Sequence, residues 1–446
     1  MQLNVTNKHL WIRAAALSVP LMLAQVGFEK ATEAFGYQGS TAIAQDAKKD
    51  ERETRRTPAL RNKVYEQLAE AQVAAEAKDW ATARSVLDAM IDASGKRELN
   101  SYELANVYNL YAFINYSNED YPGALESYRN VIAQPDIPLA MEINTKYTIA
   151  QLYFVQEDWR EGVDMLLEWF AVTDQPSATS YVLLSQGYYQ LKDYDNALAN
   201  VKTAIQMEED KGKLPKEQWY NLARFLYFER NDVDNTIDTL RSLVTYFPKD
   251  QYWIQLSHMY GERKEEGKQL SVMDAAYTQD LLSKGQERVT MAYLYLQGEV
   301  PYSAAKVIDR GLKEKLIEPT SKNYEIMGSA YRQAQEITKA IPAMEVAAEK
   351  SEDGELYARL GNVYLDGDKF DKAIIALEKA LKRGGVRRPD NAQLSLGMAY
   401  FNAKEYDKAR KAFRAAGKDE RSETYAKQWI KYLNSELDRQ AKLAED

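Results

Sequence analysis

The sequence predicts an all-α fold: a superhelical solenoid of about ten helix-turn-helix units, closed by one C-terminal helix. Three observations predict it. Residues 364–381 read YLDGDKFDKAIIALEKAL, and residues 400–417 repeat the phrase as YFNAKEYDKARKAFRAAG. Pairs of small residues twelve apart recur upstream of both. An aromatic residue follows most first members of those pairs by three. A period of this length marks an array of stacked supersecondary units, not separate domains.

The first element is a targeting segment. MQLNVTNKHLWIR carries Lys8 and Arg13 and no acid, residues 14–28 form an apolar run, and Ala42-Ile43-Ala44 meets the small-x-small cleavage rule. That order predicts a signal peptide over 1–44, cleaved after Ala44. The charged stretch 29–41 leaves an uncleaved anchor as the alternative, although Pro20 and the short apolar run suit a span poorly. Either way the rest of the chain is expected outside the cytoplasm, which in a Gram-negative cell is the periplasm. Residues 45–62, with QDAKKDERETRRTP, read as a charged, solvated linker.

The array is expected over 63–418. Its first small residues are Ala71, Ala112, Ala150, Ser185, Arg224, Ser257, Ala292, Gly328, Gly361 and Gly397. Twelve residues after each come Ala83, Ala124, Gly162, Ala197, Thr236, Gln269, Ala304, Ala340, Ala373 and Ala409. Arg224 and Gln269 break the rule of smallness. Three residues after most anchors stands Tyr153, Tyr188, Tyr227, Tyr260, Tyr295, Tyr331, Tyr364 or Tyr400. Aromatic turns such as KDW (78–80), EDY (119–121) and KDY (192–194) precede many of the second small residues. Small residues permit close helix approach, and aromatics fill the space between turns. Extra residues at 94–100, 133–138, 208–215 and 383–390 fall between units. Residues 419–446 complete the chain: Ala426, Trp429, Leu433 and Leu437 keep helical spacing, as a helix sealing the last core face would.

This pattern resembles the tetratricopeptide repeat, W-x2-L-G-x2-Y followed by A-x3-F and P. WIQLSHMY (253–260) and YARLGNVY (357–364) fit its first half. The resemblance implies paired antiparallel helices and a protein-binding role.

Composition narrows the chemistry. The 446 residues carry a net charge of −9, no cysteine and two histidines, His9 and His258. An acidic chain does not favour nucleic acid. Thiol catalysis and disulfides are excluded, and a histidine triad or metal cluster lacks its residues. No phosphate loop or nucleophile elbow is present. A non-enzymatic protein without metal or cofactor is expected.

Function is then expected on the wall lined by the first helix of each repeat. By helical phase it takes Asn106, Asn109, Phe113, Asn144, Tyr147, Gln151, Val182, Gln186, Gln218, Asn221, Phe225, Gln251, Ile254, Gln255 and His258. Within it, Asn106, Asn109, Phe113, Tyr147, Gln151, Gln186, Asn221 and Phe225 form the candidate partner groove. Neutral amides both donate to and accept from a peptide backbone, and aromatics anchor it. Family members that clamp an acidic C-terminus do so with Lys and Arg on this wall. Repeats two to six offer none there, and only Lys322 and Arg359 follow. A second candidate is basic. Residues 369–421 hold 14 Lys and Arg against 7 Asp and Glu, a local net of +7. Arg383, Arg387, Arg388, Lys408, Arg410, Lys411 and Arg414 would form a docking face for an acidic protein or lipid headgroups, or a solvated outer surface.

Several phrases are similar to one group of exported bacterial tetratricopeptide proteins: SYELANVYNLYAFINY (101–116), QPDIPLAMEINTKYTIAQLYF (134–154), PYSAAKVI (301–308), RRPDNAQLSLGMA (387–399) and QWIKYL (428–433). That group is encoded beside TonB, ExbB and ExbD. The resemblance implies a periplasmic accessory scaffold of TonB-dependent energised uptake, with TonB, ExbB, ExbD or associated envelope proteins as partners. A scaffold for envelope assembly or polysaccharide export is the alternative function.

Overall fold

A computed structural model describes residues 58–445, apart from Asp136. The expected signal peptide, its cleavage site and most of the expected linker lie outside the described residues. Among those described there are 21 α-helices and no strand. The chain divides into two compact units, Met1–Arg230 and Asn231–Asp446.

Unit 1 holds α1 (Asn62–Glu76), α2 (Trp80–Ile91), α3 (Ser101–Ser117), α4 (Tyr121–Ile132), α5 (Leu139–Val155), α6 (Trp159–Val172), α7 (Ala178–Gln190), α8 (Tyr194–Glu209) and α9 (Glu217–Glu229). Unit 2 holds α10 (Val233–Tyr246), α11 (Asp250–Glu262), α12 (Glu266–Thr278), α13 (Gly285–Gln297), α14 (Pro301–Lys313), α15 (Ser321–Gln333), α16 (Ile337–Glu349), α17 (Glu355–Asp366), α18 (Phe370–Arg383), α19 (Pro389–Asn402), α20 (Tyr406–Ala416) and α21 (Glu420–Glu445). Within each unit every helix packs on the next in sequence, which is the contact order of stacked hairpins.

The predicted register is the packed register. Ala71, Ala112, Ala150, Ser185, Ala292, Ala83, Ala124, Ala197, Ala304, Ala340, Ala373 and Ala409 are fully buried. A methyl group on Gly361 would come within 2.5 Å of Leu377 Cγ, so α17 and α18 meet where only hydrogen fits. The two larger residues are accommodated differently. Arg224 is buried in α9. Gln269 stands opposite Gly261, whose missing side chain leaves room for the amide, and Ser257 Oγ donates to the Gln269 carbonyl at 3.0 Å. Ser185 makes the equivalent bond to the Ala197 carbonyl at 2.7 Å.

The turn inside each helix pair is stereotyped. Seven residues after every anchor the backbone takes a positive φ: Lys78, Glu119, Glu157, Lys192, Asn231, Lys264, Glu299, Gln335, Asp368 and Lys404. This is the left-handed residue that ends a helix and lets the next N–H reach back. Asp193 N–H thus donates to the Tyr188 carbonyl at 2.9 Å, and Glu405 N–H to that of Tyr400 at 2.8 Å. In four pairs the following Asp caps the second helix, as Asp79 does for Thr82 N–H, Asp120 for Gly123 N–H, Asp193 for Asn196 N–H and Asp232 for Asn235 N–H. Two further non-glycine residues of positive φ, Asp280 and Lys315, lie between pairs.

Helix α21 seals the last pair. Ala426 and Leu433 are buried, and Trp429 and Leu437 pack against the same core. The Trp429 ring stacks on Phe413 with centroids 5.4 Å apart. No described helix is long and apolar enough to cross a membrane.

Candidate functional site

All eight candidate groove residues fall in unit 1, on the first helices α3, α5, α7 and α9. All eight are half-buried. Their side chains divide into two sets. Asn106 Nδ2 donates to the Tyr102 carbonyl at 2.7 Å and Asn221 Nδ2 to the Glu217 carbonyl at 3.3 Å, so both amides are turned back onto their own helix. Asn109, Gln151 and Gln186 make no hydrogen bond to any described residue. Their donors and acceptors are open to a ligand.

The aromatic candidates are seated with one side against the core. Phe113 packs on the cluster of Val107, Leu110 and Ile114. Phe225 meets Tyr189 edge to face at 5.5 Å. Tyr147 lies 4.9 Å from Trp169, and burial pushes its hydroxyl up to about 12, so it stays a neutral donor. Val182, placed on the wall by phase, is buried against Trp219 and Leu226.

Sequence reasoning missed Trp169, which lies on α6 and so outside the first-helix pattern. It links Tyr147 to Phe170 at 5.1 Å, and Phe170 reaches Tyr181 at 4.8 Å. The indole N–H of Trp169 is buried without a hydrogen-bond partner. The signal was present in the WF pair at 169–170, because the equivalent position is alanine in the next repeat, at Ala204. On the wall of unit 2, Arg359 is already paired, with Glu325 at 2.5 Å and Glu355 at 3.2 Å.

The seven basic candidates lie in unit 2 and split. Arg383 donates to the Ser351 carbonyl at 2.7 Å and lies over the Tyr357 ring. Arg388 grips buried Asp390 at 2.5 Å. Lys408 pairs with Glu405 at 2.5 Å, and Arg410 donates to Asn434 at 3.1 Å. The side chains of Arg387, Lys411 and Arg414 are exposed and without a partner among the described residues.

Among the described residues no group of His, Asp or Glu is placed to hold a metal ion.

Tetratricopeptide-repeat family models match residues 178–211, 219–250 and 358–422. The chain carries tetratricopeptide repeats, and the fold is of that class. Over 129 residues it is 28% identical to tetratricopeptide repeat protein 21 homolog of Caenorhabditis briggsae, a match covering 29% of this chain and 9% of that protein. The chain thus spans about a tenth of that relative's length. Among solved structures it is similar to MamA (22% identity, 40% of this chain and 94% of that one, TM-score 0.34). It is also similar to the Cut9–Hcn1 hetero-tetramer of the APC/C (15% identity, 84% of each chain, TM-score 0.30).

Proposed function

We propose that the protein is a non-enzymatic scaffold that holds a polypeptide segment on the first helices of unit 1. The observation that carries this is the set of side-chain amides at Asn109, Gln151 and Gln186, half-buried and without hydrogen-bond partners among the described residues, on the same run of first helices as Phe113, Tyr147 and Phe225. A bound backbone would satisfy the amides, and the rings would anchor its side chains. The tetratricopeptide fold supports a protein partner.

The narrower reading is a periplasmic accessory role in TonB-dependent uptake, with TonB, ExbB or ExbD as the partner. It is supported by the leader of residues 1–44 and by the phrases at 101–116 and 387–399. Crosslinking and pull-down from envelopes tests both levels. Wild type should recover partners that a stability-matched Phe113→Ala/Phe225→Ala variant loses, because truncating an aromatic anchor costs about 2 kcal/mol, roughly thirtyfold in affinity. Equal recovery would overturn the groove. Recovery of export or assembly factors in place of TonB components would favour an envelope-assembly scaffold.

A further inference from the structure

We infer that unit 2 carries a second, separate docking surface, the outer face of α18 and α20, and that it rests on an anionic lipid surface. Successive second helices bury the same register. Helix α18 buries Ala373, Ala376, Leu377 and Ala380, and α20 buries Ala409, Ala412, Phe413 and Ala416, each thirty-six residues on. Side chains at equal phase on the two helices therefore project the same way. The exposed stripe of α18 carries Ile375 and Lys382, and that of α20 carries Lys411 and Arg414, with Lys418 two residues beyond its end. Ile375 and Lys411 occupy equivalent helical positions.

Two features give this face its chemistry. Ile375 is 65% exposed in the middle of a helix otherwise packed by its apolar residues. Lys372 and Lys379 flank it at helical spacing, the first near Glu345 at 3.7 Å and the second over the Tyr357 ring at 4.2 Å. The side chains of Lys382, Lys411, Arg414 and Lys418 have no ion pair or hydrogen bond among the described residues. The acids on these helices are held elsewhere or lie at helix starts: Glu378 accepts from the Tyr400 hydroxyl, and Asp371 and Asp407 sit in first turns, where the helix dipole favours them. The preceding second helix, α16, presents exposed Pro342 and Glu349, so the basic face begins at α18.

An exposed apolar side chain flanked by long cationic ones suits a lipid interface. The apolar group enters the headgroup boundary while the lysines extend toward phosphate. Unpaired basic side chains near such a surface each contribute roughly fivefold in affinity, in a salt-dependent way. An acidic protein is the competing occupant; the apolar side chain exposed among the cationic ones favours a headgroup boundary, which takes up both.

The absence of cysteine makes the test clean. In the full chain, Ile375→Cys is labelled with an environment-sensitive fluorophore and mixed with phosphatidylcholine vesicles, with and without phosphatidylglycerol. The label should shift to the blue only with phosphatidylglycerol present, and the shift should reverse in high salt. The triple substitution Lys382→Ser/Lys411→Ser/Arg414→Ser should raise the lipid concentration needed by roughly a hundredfold, with unchanged helicity by circular dichroism. The same label at Ser271→Cys, the equivalent position on α12, should not shift. Because the readout is local, binding of vesicles through any other part of the chain does not count. No shift at 375, an equal shift with phosphatidylcholine alone, or an equal shift at 271 would overturn the proposal. A shift with polyglutamate but not with anionic vesicles would overturn it in favour of an acidic protein.

Discussion

The Tyr364 hydroxyl on α17 donates to Glu345 on α16, the second helix of the preceding pair. Lys372 of α18 lies over the same ring at 5.6 Å and reaches Glu345 at 3.7 Å. The bond recurs along unit 2. Tyr295 donates to Asp274 and Tyr400 to Glu378, each an aromatic three residues after its anchor reaching the helix before it. The tyrosine that marks the repeat therefore does two things. Its ring fills the space between helices, and its hydroxyl ties one pair to the next.

Tyr364→Phe should keep the packing and lose the tie. A bond to a charged acceptor contributes about 1.5–3 kcal/mol, and the half-exposed Glu345 places this one near the lower end. Chemical denaturation should show a loss of about 1 kcal/mol. A double-mutant cycle with Glu345→Gln should show that the two losses are not additive. Additive losses would mean that the bond carries no coupling.

Gly361→Leu should destabilise unit 2 by about 1–3 kcal/mol through overpacking, because Leu377 occupies the space a side chain would need. Adding Leu377→Ala to Gly361→Leu, which returns the volume, should be milder than Gly361→Leu alone. Thermal melts of both variants measure this, and an unchanged midpoint for Gly361→Leu would contradict the observed close approach.

Lys404 holds a φ of 64° at the α19–α20 turn, a conformation that disfavours any residue with a Cβ. Lys404→Gly should raise stability by up to about 1 kcal/mol, seen as a higher denaturation midpoint. The same change at Lys411, inside α20, should instead lower it by about 1 kcal/mol. The opposite signs separate turn strain from a general effect of glycine.

The array was legible from sequence because packing wrote it. Small residues twelve apart survive wherever two helices touch, and Ala304, Ala340 and Ala373 sit in the core for that reason. The turn conformation was less legible. Its left-handed residue is Lys, Glu, Gln, Asn or Asp instead of glycine, so polarity disguised a backbone requirement. The candidate sites were only half legible. Helical phase put Asn106 and Asn221 on the right helices but could not show their amides folded back onto the chain. Charge counting found the basic stretch but could not show that Arg388 and Arg383 serve the fold while Lys411 and Arg414 do not. Trp169 was missed because it comes from a second helix, and only the tertiary structure places it beside Tyr147.

Acid should loosen the last pair through Asp390. This carboxylate is buried at the start of α19, accepts from Arg388 at 2.5 Å and from Ser422 of α21 at 2.7 Å, and so joins the capping helix to the pair it seals. The hydrogen bonds from Arg388 hold its pKa well below the usual carboxylate range, outweighing the opposing effect of burial, with Ser422 adding to the depression. The unfolded chain releases this proton near pH 4, so below that value it binds a proton the folded protein resists. The stabilisation from Asp390 is thus fully present above about pH 4 and declines as pH falls toward the folded value. Asp390→Asn should therefore be less stable than wild type by about 1–3 kcal/mol at neutral pH, and the gap should narrow as the pH drops below about 4. Denaturant titrations of both proteins across that range provide the measurement. A gap that stayed constant with pH would show that the charge on Asp390 does not hold α21 in place.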